Sequence, residues 1–325
     1  MCSESPSGRR VIDRVATIGS FDGVHRGHRS LLSQVRHIAD EYSMEAVAVT
    51  FGVSPKRVLG MCSAPQLDSL EERVERLHEV GMDEVVILDF THEMATMTAH
   101  DFMQQVLHKQ LGVKVLVIGY DHRFGHNRHE SFDDYVRYGR EMGIEVIQGE
   151  VCIEGNEPVS STRIRECLTQ GKVAEATRLL GYEYRLCGKV VGGYQVGRKI
   201  GFPTANIDVE ECNKLIPADG VYAVRVFLSD EDNSHPSTLN ANPSFSTPQH
   251  IGMLNIGHRP TVNNGTGRSV EVHILGFEGN LYGESLCIEL MERLRDERIF
   301  NNLDELTAQL VADKNKVMSL LTPNH

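Results

Sequence analysis

The 325-residue sequence contains no tryptophan, and aromatic residues make up only 6% of it. No uninterrupted apolar run approaches the roughly 20 residues that a membrane-crossing helix needs, so a helical membrane protein is excluded and no membrane partner is expected. Cysteine is sparse: seven residues, at 2, 62, 152, 167, 187, 212 and 287, an odd number without a Cys-x-x-Cys pair. Neither a disulfide framework nor a zinc site is implied by that spacing. Basic charge is also in deficit, with 33 Lys and Arg against 45 Asp and Glu and a net charge of −12. A general nucleic-acid binder depends on clustered Lys and Arg to neutralise phosphates, so that class is not expected. Any phosphate binding must come from local groups. The opening "MCSESPSGRRVIDR" has no apolar core of roughly 7 to 15 residues behind its basic residues, which predicts a cytoplasmic rather than a secreted chain.

What is present divides in two. Up to about residue 181, continuous apolar runs such as "VATIGSF", "EAVAVTFGV", "EVVILDF", "KVLVIGYD" and "EVIQGE" alternate with stretches of helical period. Unbroken apolar runs suit strands buried on both faces of a parallel sheet. Leu31, Leu32, Val35, Ile38 and Ala39 share one helical face, as do Leu70, Val74, Leu77 and Val80. An open α/β sheet, Rossmann-like in form, is predicted for 1–181. From 182 to 325 the strand-like segments follow one another with Gly and Pro turns and no helices between them, which predicts a small antiparallel β barrel. A terminal helix over about 303–320, carrying Leu303, Leu306, Leu310, Val317 and Leu320, closes the chain. The polar segment 229–249 reads as a long loop, and no internal repeat is found.

In the first half, "TIGSFDGVHRGH" (17–28) lies where a strand ends and a helix begins, the place at which open α/β sheets bind ligands. Glycines there allow backbone N–H groups close to a phosphate, and the following helix offers its positive end. His25 and His28, one turn apart, are able to donate hydrogen bonds to phosphate oxygens as charge develops. Simple turn formation by Gly23 and Gly27, or a metal held by Asp22, His25 and His28, are the alternatives. "VSSTRIRECL" (159–168) offers Ser161, Thr162, Arg163 and Arg165, either as a phosphate clamp or as an ordinary helix cap. "IGYDHRFGHNR" (118–128) ends another strand with Asp121, Arg123 and Gly125, a second candidate or a polar loop.

In the second half, "GKVVGGYQVGRKIGFPTANI" (188–207) combines a Gly-rich turn, the basic pair Arg198 and Lys199, and Thr204 with Asn206. A hydroxyl and an amide oxygen beside a phosphate-binding turn suit Mg²⁺ bridging ATP oxygens, whereas a bulged hairpin is the plain alternative. "SVEVHILGF" places Glu271 on a strand with Val270, Val272 and Ile274 pointing the other way. Such a carboxylate is able to take a proton from an attacking alcohol, although most alternating-strand glutamates simply face solvent.

The order "GSFDGVHRGH", "GYDHRFG", "SSTRIRE" resembles the adenylyltransferase half of the bacterial bifunctional riboflavin kinase/FAD synthetase family. "GFPTAN", "NIGHRPTV", "EVHILGFEGNLYG" and "ERLRDERIF" resemble its riboflavin kinase half, so that the likeness spans about residues 14 to 320. The resemblance implies riboflavin, FMN and ATP as substrates, with Mg²⁺ accompanying ATP. It implies ATP-binding roles for Gly19, Phe21, Asp22, Gly23, His25, His28, Asp121, Ser161, Thr162 and Arg163 in the first half. In the second half it implies phosphate binding by Gly193, Gly197, Arg198, Lys199, Gly201, Thr204 and Asn206, metal binding by Thr204 and Asn206, and Glu271 as base. Three positions depart from the family pattern. Val53-Ser54-Pro55 stands where Pro-His-Pro is usual, His122 replaces the first Phe of Asp-Phe-Arg-Phe-Gly, and Gly276 replaces an Asp. The first two fall in the adenylyltransferase half and set out a narrower alternative, a riboflavin kinase whose N-terminal domain only binds nucleotide or flavin. A non-catalytic flavin carrier is the third reading.

Overall fold

The computed structural model describes residues 13–61, 64–126, 128–193, 196–209, 214–228, 250–258 and 268–322. The expected loop 229–249 therefore lies outside the described residues. By contact the chain forms two compact units, Met1–Ala64 with Leu70–Ser160, and Pro65–Ser69 with Ser161–His325.

The first unit is built on five parallel strands. In chain order it contains β1 (Arg14–Ile18), α1 (Arg26–Tyr42), β2 (Glu45–Phe51), the single turn α2 (Pro55–Val58), α3 (Leu70–Glu79) and β3 (Glu84–Leu88). There follow α4 (His92–Thr96), α5 (Ala99–Phe102) running into a π-helical stretch over Met103–Gln110, β4 (Val113–Ile118), α6 (Phe132–Met142) and β5 (Glu145–Gln148). The strand order is β3-β2-β1-β4-β5. Successive residues of each central strand point to opposite faces and both faces are covered, which is why the apolar runs are unbroken. Val15, Ala46, Ala48, Val115 and Val117 pack with Leu32, Val35 and Ala39 of α1 and Leu77 of α3. Ala16, Ile18, Val47, Val49, Leu116 and Ile118 pack on the other side with Phe102, Met103, Val106 and Leu107. A small hairpin, β6 (Ile153–Glu154) with β7 (Glu157–Pro158), follows the sheet. Its two-residue strands are too short to leave a period in the sequence.

The second unit begins with α7 (Ser161–Thr169) and α8 (Val173–Leu180), the latter ended by Gly181 in the left-handed conformation. Six antiparallel strands then close a barrel in the order β10-β11-β12-β9-β8-β13. They are β8 (Tyr184–Val191), β9 (Ala205–Asp208), β10 (Gly220–Leu228), β11 (His250–His258), β12 (Arg268–Ile274) and β13 (Ser285–Arg295). Closure pairs every strand edge, and Leu254, Ile256, Val272, Ile288 and Leu290 are among the side chains fully buried here. The final helix α10 (Leu303–Leu321) is capped by the Asn302 side chain, which accepts from the Glu305 amide.

Two expectations are corrected. A one-turn helix, α9 (Val196–Lys199), interrupts the supposedly helix-free barrel sequence, inside the Gly-rich turn. Cys187 and Cys287 are joined by a disulfide although their spacing implied none. They lie 100 residues apart in sequence but face each other in the β8–β13 register, a coincidence that only strand pairing creates. On α10, Leu303 and Leu320 are exposed, and Val317 is the fully buried residue.

Candidate functional sites

The switch point of the first sheet lies between β1 and β4, where the order of connection reverses, and ligands of open α/β folds bind outside the carboxyl ends of the strands there. Residues 19–25 follow β1. Their backbone is unusual, for Phe21 and Val24 have positive φ values of 46° and 28° although neither is glycine. Both side chains are fully enclosed, so packing holds a conformation that costs of order 1–3 kcal/mol per residue when unsupported. Gly23, at φ 83°, accommodates the turn without that cost. Asp22 is buried beside it. The turn delivers His25 to the N-cap of α1, where its Nδ1 accepts from the His28 amide at 3.3 Å.

The two imidazoles stack face to face, with centroids 3.7 Å apart and planes 16° from parallel, and Phe21 meets His28 edge-on at 5.3 Å. Gly27 permits this approach: a Cβ there would lie 3.0 Å from the Val159 carbonyl oxygen and 3.1 Å from the His25 ring. Gly19 likewise faces the Phe21 ring. Two of the glycines thus serve the shape of the histidine platform. Burial holds the His28 pKa well below its ordinary value, and the nearby His25, His122 and Arg73 push the same way. His28 is consequently a neutral donor near pH 7. Its Nδ1 is buried without a hydrogen-bond partner. Among the described residues no group of three or more His, Cys, Asp and Glu side chains is arranged to hold a metal, so nothing supports the Asp22–His25–His28 metal reading.

Asp121 and Arg123 are exposed on the loop after β4. Ser161, Thr162 and Arg163 open α7, in the second unit, where Arg163 Nη2 lies 3.6 Å from Glu175 and Arg165 Nε donates to the Pro65 carbonyl at 3.0 Å.

In the barrel, β12 and β9 run side by side with Glu271 opposite Asn206. Val270 and Val272 are buried while Glu271 is only half-buried, as the alternation predicted. Thr204 Oγ1 donates to Glu271 Oε2 at 3.3 Å. The buried Asn206 amide is fixed by Gly193, where a Cβ would fall 2.1 Å from Asn206 Nδ2. At Gly197 a Cβ would collide with the Phe202 carbonyl oxygen at 2.1 Å, and Gly201 has φ 79°. These three glycines are therefore required by close approach or by a left-handed turn. Thr204 and Arg198 stand at a cavity whose apolar wall includes Val190, Val272, Ile274 and Tyr282, a combination suited to a nucleotide. The Lys199 side chain lies outside the described residues.

Two further participants were invisible in the sequence. Asn255, on β11, is the other cross-strand partner of Glu271, and its Nδ2 donates to Glu297 Oε1 at 3.1 Å. His273 donates from Nδ1 to the Pro203 carbonyl at 2.7 Å, bracing the segment that carries Thr204, and burial lowers its pKa. Register alone reveals both contacts. Thr204 and Asn206 offer a hydroxyl and an amide oxygen beside Glu271, oxygen donors of the kind that suit a hard divalent cation which also binds ATP oxygens and water.

Comparison with known proteins matches these halves separately. A family model described as FAD synthetase matches residues 9–163, and one described as riboflavin kinase matches residues 180–321. The bifunctional riboflavin kinase/FMN adenylyltransferase of Escherichia coli (strain K12) is 36% identical over 301 residues, covering 92% of this chain and 90% of that protein. Its namesake from Haemophilus influenzae is 34% identical over 309 residues, covering 94% of each. A crystal structure from Streptococcus pneumoniae, named a macrolide-efflux protein, has a TM-score of 0.82 at 31% identity and covers 97% of this chain and 95% of that one. Among the described residues of this chain, no helix is long and apolar enough to cross a membrane. With both family models matched in tandem and relatives above 30% identity along nearly its whole length, the chain belongs to the bifunctional riboflavin kinase/FMN adenylyltransferase family.

Proposed function

We propose that the two halves catalyse successive steps, phosphorylation of riboflavin to FMN by residues 182–325 and adenylylation of FMN to FAD by residues 1–181. The reading is carried by the presence of two separate polar constellations, the His25–His28 stack and the Thr204–Glu271 pair, each within its own family match. A kinase-only chain accounts for just one of them.

In the barrel, Glu271 takes the proton of the riboflavin 5′-hydroxyl as that oxygen bonds to the γ-phosphorus of ATP, and ADP leaves. ATP chemistry of this kind takes a divalent metal. We assign Mg²⁺, held with Thr204 and Asn206, which when bound neutralises charge on the phosphate oxygens. Gly193, Gly197 and Gly201 shape the turn, and Arg198 with Lys199 supplies positive charge for the triphosphate. In the α/β half, an oxygen of the FMN phosphate bonds to the α-phosphorus of ATP and pyrophosphate leaves. No protein nucleophile is needed, because the attacking phosphate is already anionic. His25 and His28 orient the chain of phosphates and stabilise charge by hydrogen-bond donation, His28 as a neutral imidazole. Gly19, Phe21, Asp22, Gly23 and Asp121 form the surrounding pocket in this reading. Ser161, Thr162 and Arg163 are assigned to the same reaction on the family resemblance alone. The substrates are small molecules rather than nucleic acid, in keeping with the net charge of −12, and we place the enzyme in the cytoplasm.

Incubation of the purified chain with riboflavin, ATP and Mg²⁺, followed by chromatographic separation of flavins, tests this. FMN that rises and then gives way to FAD is expected. FMN accumulating without FAD establishes the narrower kinase, and flavin binding without ATP consumption establishes the carrier.

A further inference from the structure

His122 stands at the same switch point as the histidine pair, on the opposite side. It follows β4 as His25 and His28 follow β1, and β1 and β4 are neighbours in the sheet. The loop that carries it is held on both flanks. The His122 amide donates to the Gly119 carbonyl at 3.0 Å. Beyond it, the Tyr135 hydroxyl accepts from the Phe124 amide at 3.0 Å and donates to the Phe124 carbonyl at 3.1 Å, while the two rings stack at 4.6 Å. Gly125, at φ 93°, closes onto Ala99, where a Cβ would lie 2.7 Å from the amide nitrogen. A side chain at 122 is thereby aimed by a rigid frame.

That frame ends in an unused donor. His122 Nε2 is buried without a hydrogen-bond partner, as is His28 Nδ1. The rings are near enough for charge on His122 to depress the His28 pKa, and burial lowers the pKa of His122 itself to about 4. Both imidazoles are therefore neutral near pH 7. Buried polar nitrogens without partners are unfavourable, and two of them flanking one crevice are both satisfied by a ligand rich in acceptor oxygens. Aromatic packing alone does not account for the residue, since a phenylalanine would fill the place beside Phe124 without burying a nitrogen.

We propose that His122 is a third imidazole of the adenylyltransferase pocket, its Nε2–H donating to a phosphate oxygen of the bound nucleotide alongside His28. The assignment rests on the adenylyltransferase reading of this half. It gives the departure at position 122 a function: the site holds its polyphosphate with uncharged donors from both sides of the crevice.

The test compares the intact wild-type chain with His122→Phe and His122→Gln in FAD formation from FMN, across a range of ATP concentrations. Riboflavin phosphorylation by the same preparations serves as the control for folding. His122→Phe keeps an aromatic ring and removes the donor, so KM for ATP should rise about tenfold to hundredfold, the range for losing one hydrogen bond to a charged group. KM for FMN and the kinase rate should stay within about twofold, on the additivity expected of separate sites. Glutamine carries an Nε2 donor at similar reach and should recover most of the loss. An unchanged KM for ATP in His122→Phe overturns the proposal. So does equal impairment of both variants with KM for both substrates affected, which marks a packing role. Absence of FAD formation by the wild-type chain overturns the adenylyltransferase reading itself, and this assignment with it.

Discussion

The α/β unit and the barrel solve the same problem, holding ATP phosphates, with opposite materials. In the first, the polar groups are imidazoles stacked against one another, of which His28 is kept neutral by desolvation, supported by a backbone with two non-glycine residues at positive φ. In the second, a half-buried carboxylate is touched by a hydroxyl at 3.3 Å on regularly paired strands, and the strain is confined to glycines. The difference suits the roles proposed for the two sites. Adenylyl transfer begins with a nucleophile that is already anionic, so the protein must offer donors and no base. Phosphorylation of an alcohol releases a proton, so a base has to stand near solvent where it is able to ionise.

The sharpest way to break this division is to remove one centre and read both reactions. Glu271→Gln keeps the shape and the Thr204 contact but cannot accept the proton. FMN formation should fall about 10²–10⁴-fold, the usual span for general-base loss, with FAD formation from supplied FMN unchanged. His28→Ala is the mirror experiment. It removes a preorganised donor, and FAD formation should drop about 10²–10³-fold while FMN formation stays intact. Parallel rates of the two reactions, followed by flavin chromatography on folded variants, check both. Equal loss of both reactions in either variant removes the division of labour.

How much of this was legible in the sequence depends on the range over which each feature is specified. The unbroken apolar runs identified the buried parallel strands because both faces of β1, β2 and β4 are covered. Alternation placed Glu271 away from the barrel interior because period 2 is a local property of a strand. The motif around His25 and His28 was legible for the same reason, since turn, cap and first helical turn are contiguous. The disulfide between Cys187 and Cys287, the Asn255 neighbour of Glu271 and the His273–Pro203 brace were not, because each joins residues of different strands or of a strand and a distant turn, which no local period specifies. The roles of the glycines were read only in part. Sequence suggested phosphate approach, whereas Gly193 and Gly27 are demanded by the side chains packed against them, Asn206 and His25. His122 was visible only as a departure from a pattern. Its buried nitrogen depends on how the loop after β4 folds back.

The buried imidazole nitrogens of the α/β unit also make its stability depend on acid. His122 has a folded-state pKa of about 4, lowered by burial first and by Arg128 next, with Asp121 opposing. The unfolded chain takes up the proton near the ordinary value of about 6.5, so below that pH the unfolded state binds more protons than the folded one. The stabilising contribution is thus complete above about pH 6.5 and is lost as pH falls from there towards 4, by at most about 3 kcal/mol. His28, shifted in the same direction, adds to the loss. Denaturant unfolding of the α/β unit at pH 7 and pH 5 should show a steeper decline in wild-type protein than in His122→Phe. Identical declines show that this ring does not titrate on unfolding.

The smallest effect expected here probes the barrel's phosphate turn without touching its base. Gly193→Ala adds one methyl group, but at a point 2.1 Å from Asn206 Nδ2 and 2.7 Å from its Cγ. Asn206 is buried, so its amide cannot remain where it is and has no open space to enter freely. Forcing an extra methyl into such packing costs about 1–3 kcal/mol, enough to turn the amide while leaving the barrel closed. If Asn206 helps to hold the metal with ATP, that rotation should appear as a several-fold rise in KM for ATP in FMN formation, with a small loss of thermal stability. FAD formation from supplied FMN should be untouched, because Gly193 and Asn206 are not among the residues assigned to that reaction. A variant that loses stability but keeps its KM for ATP would remove Asn206 from the phosphate site and leave Glu271 and Thr204 to carry it.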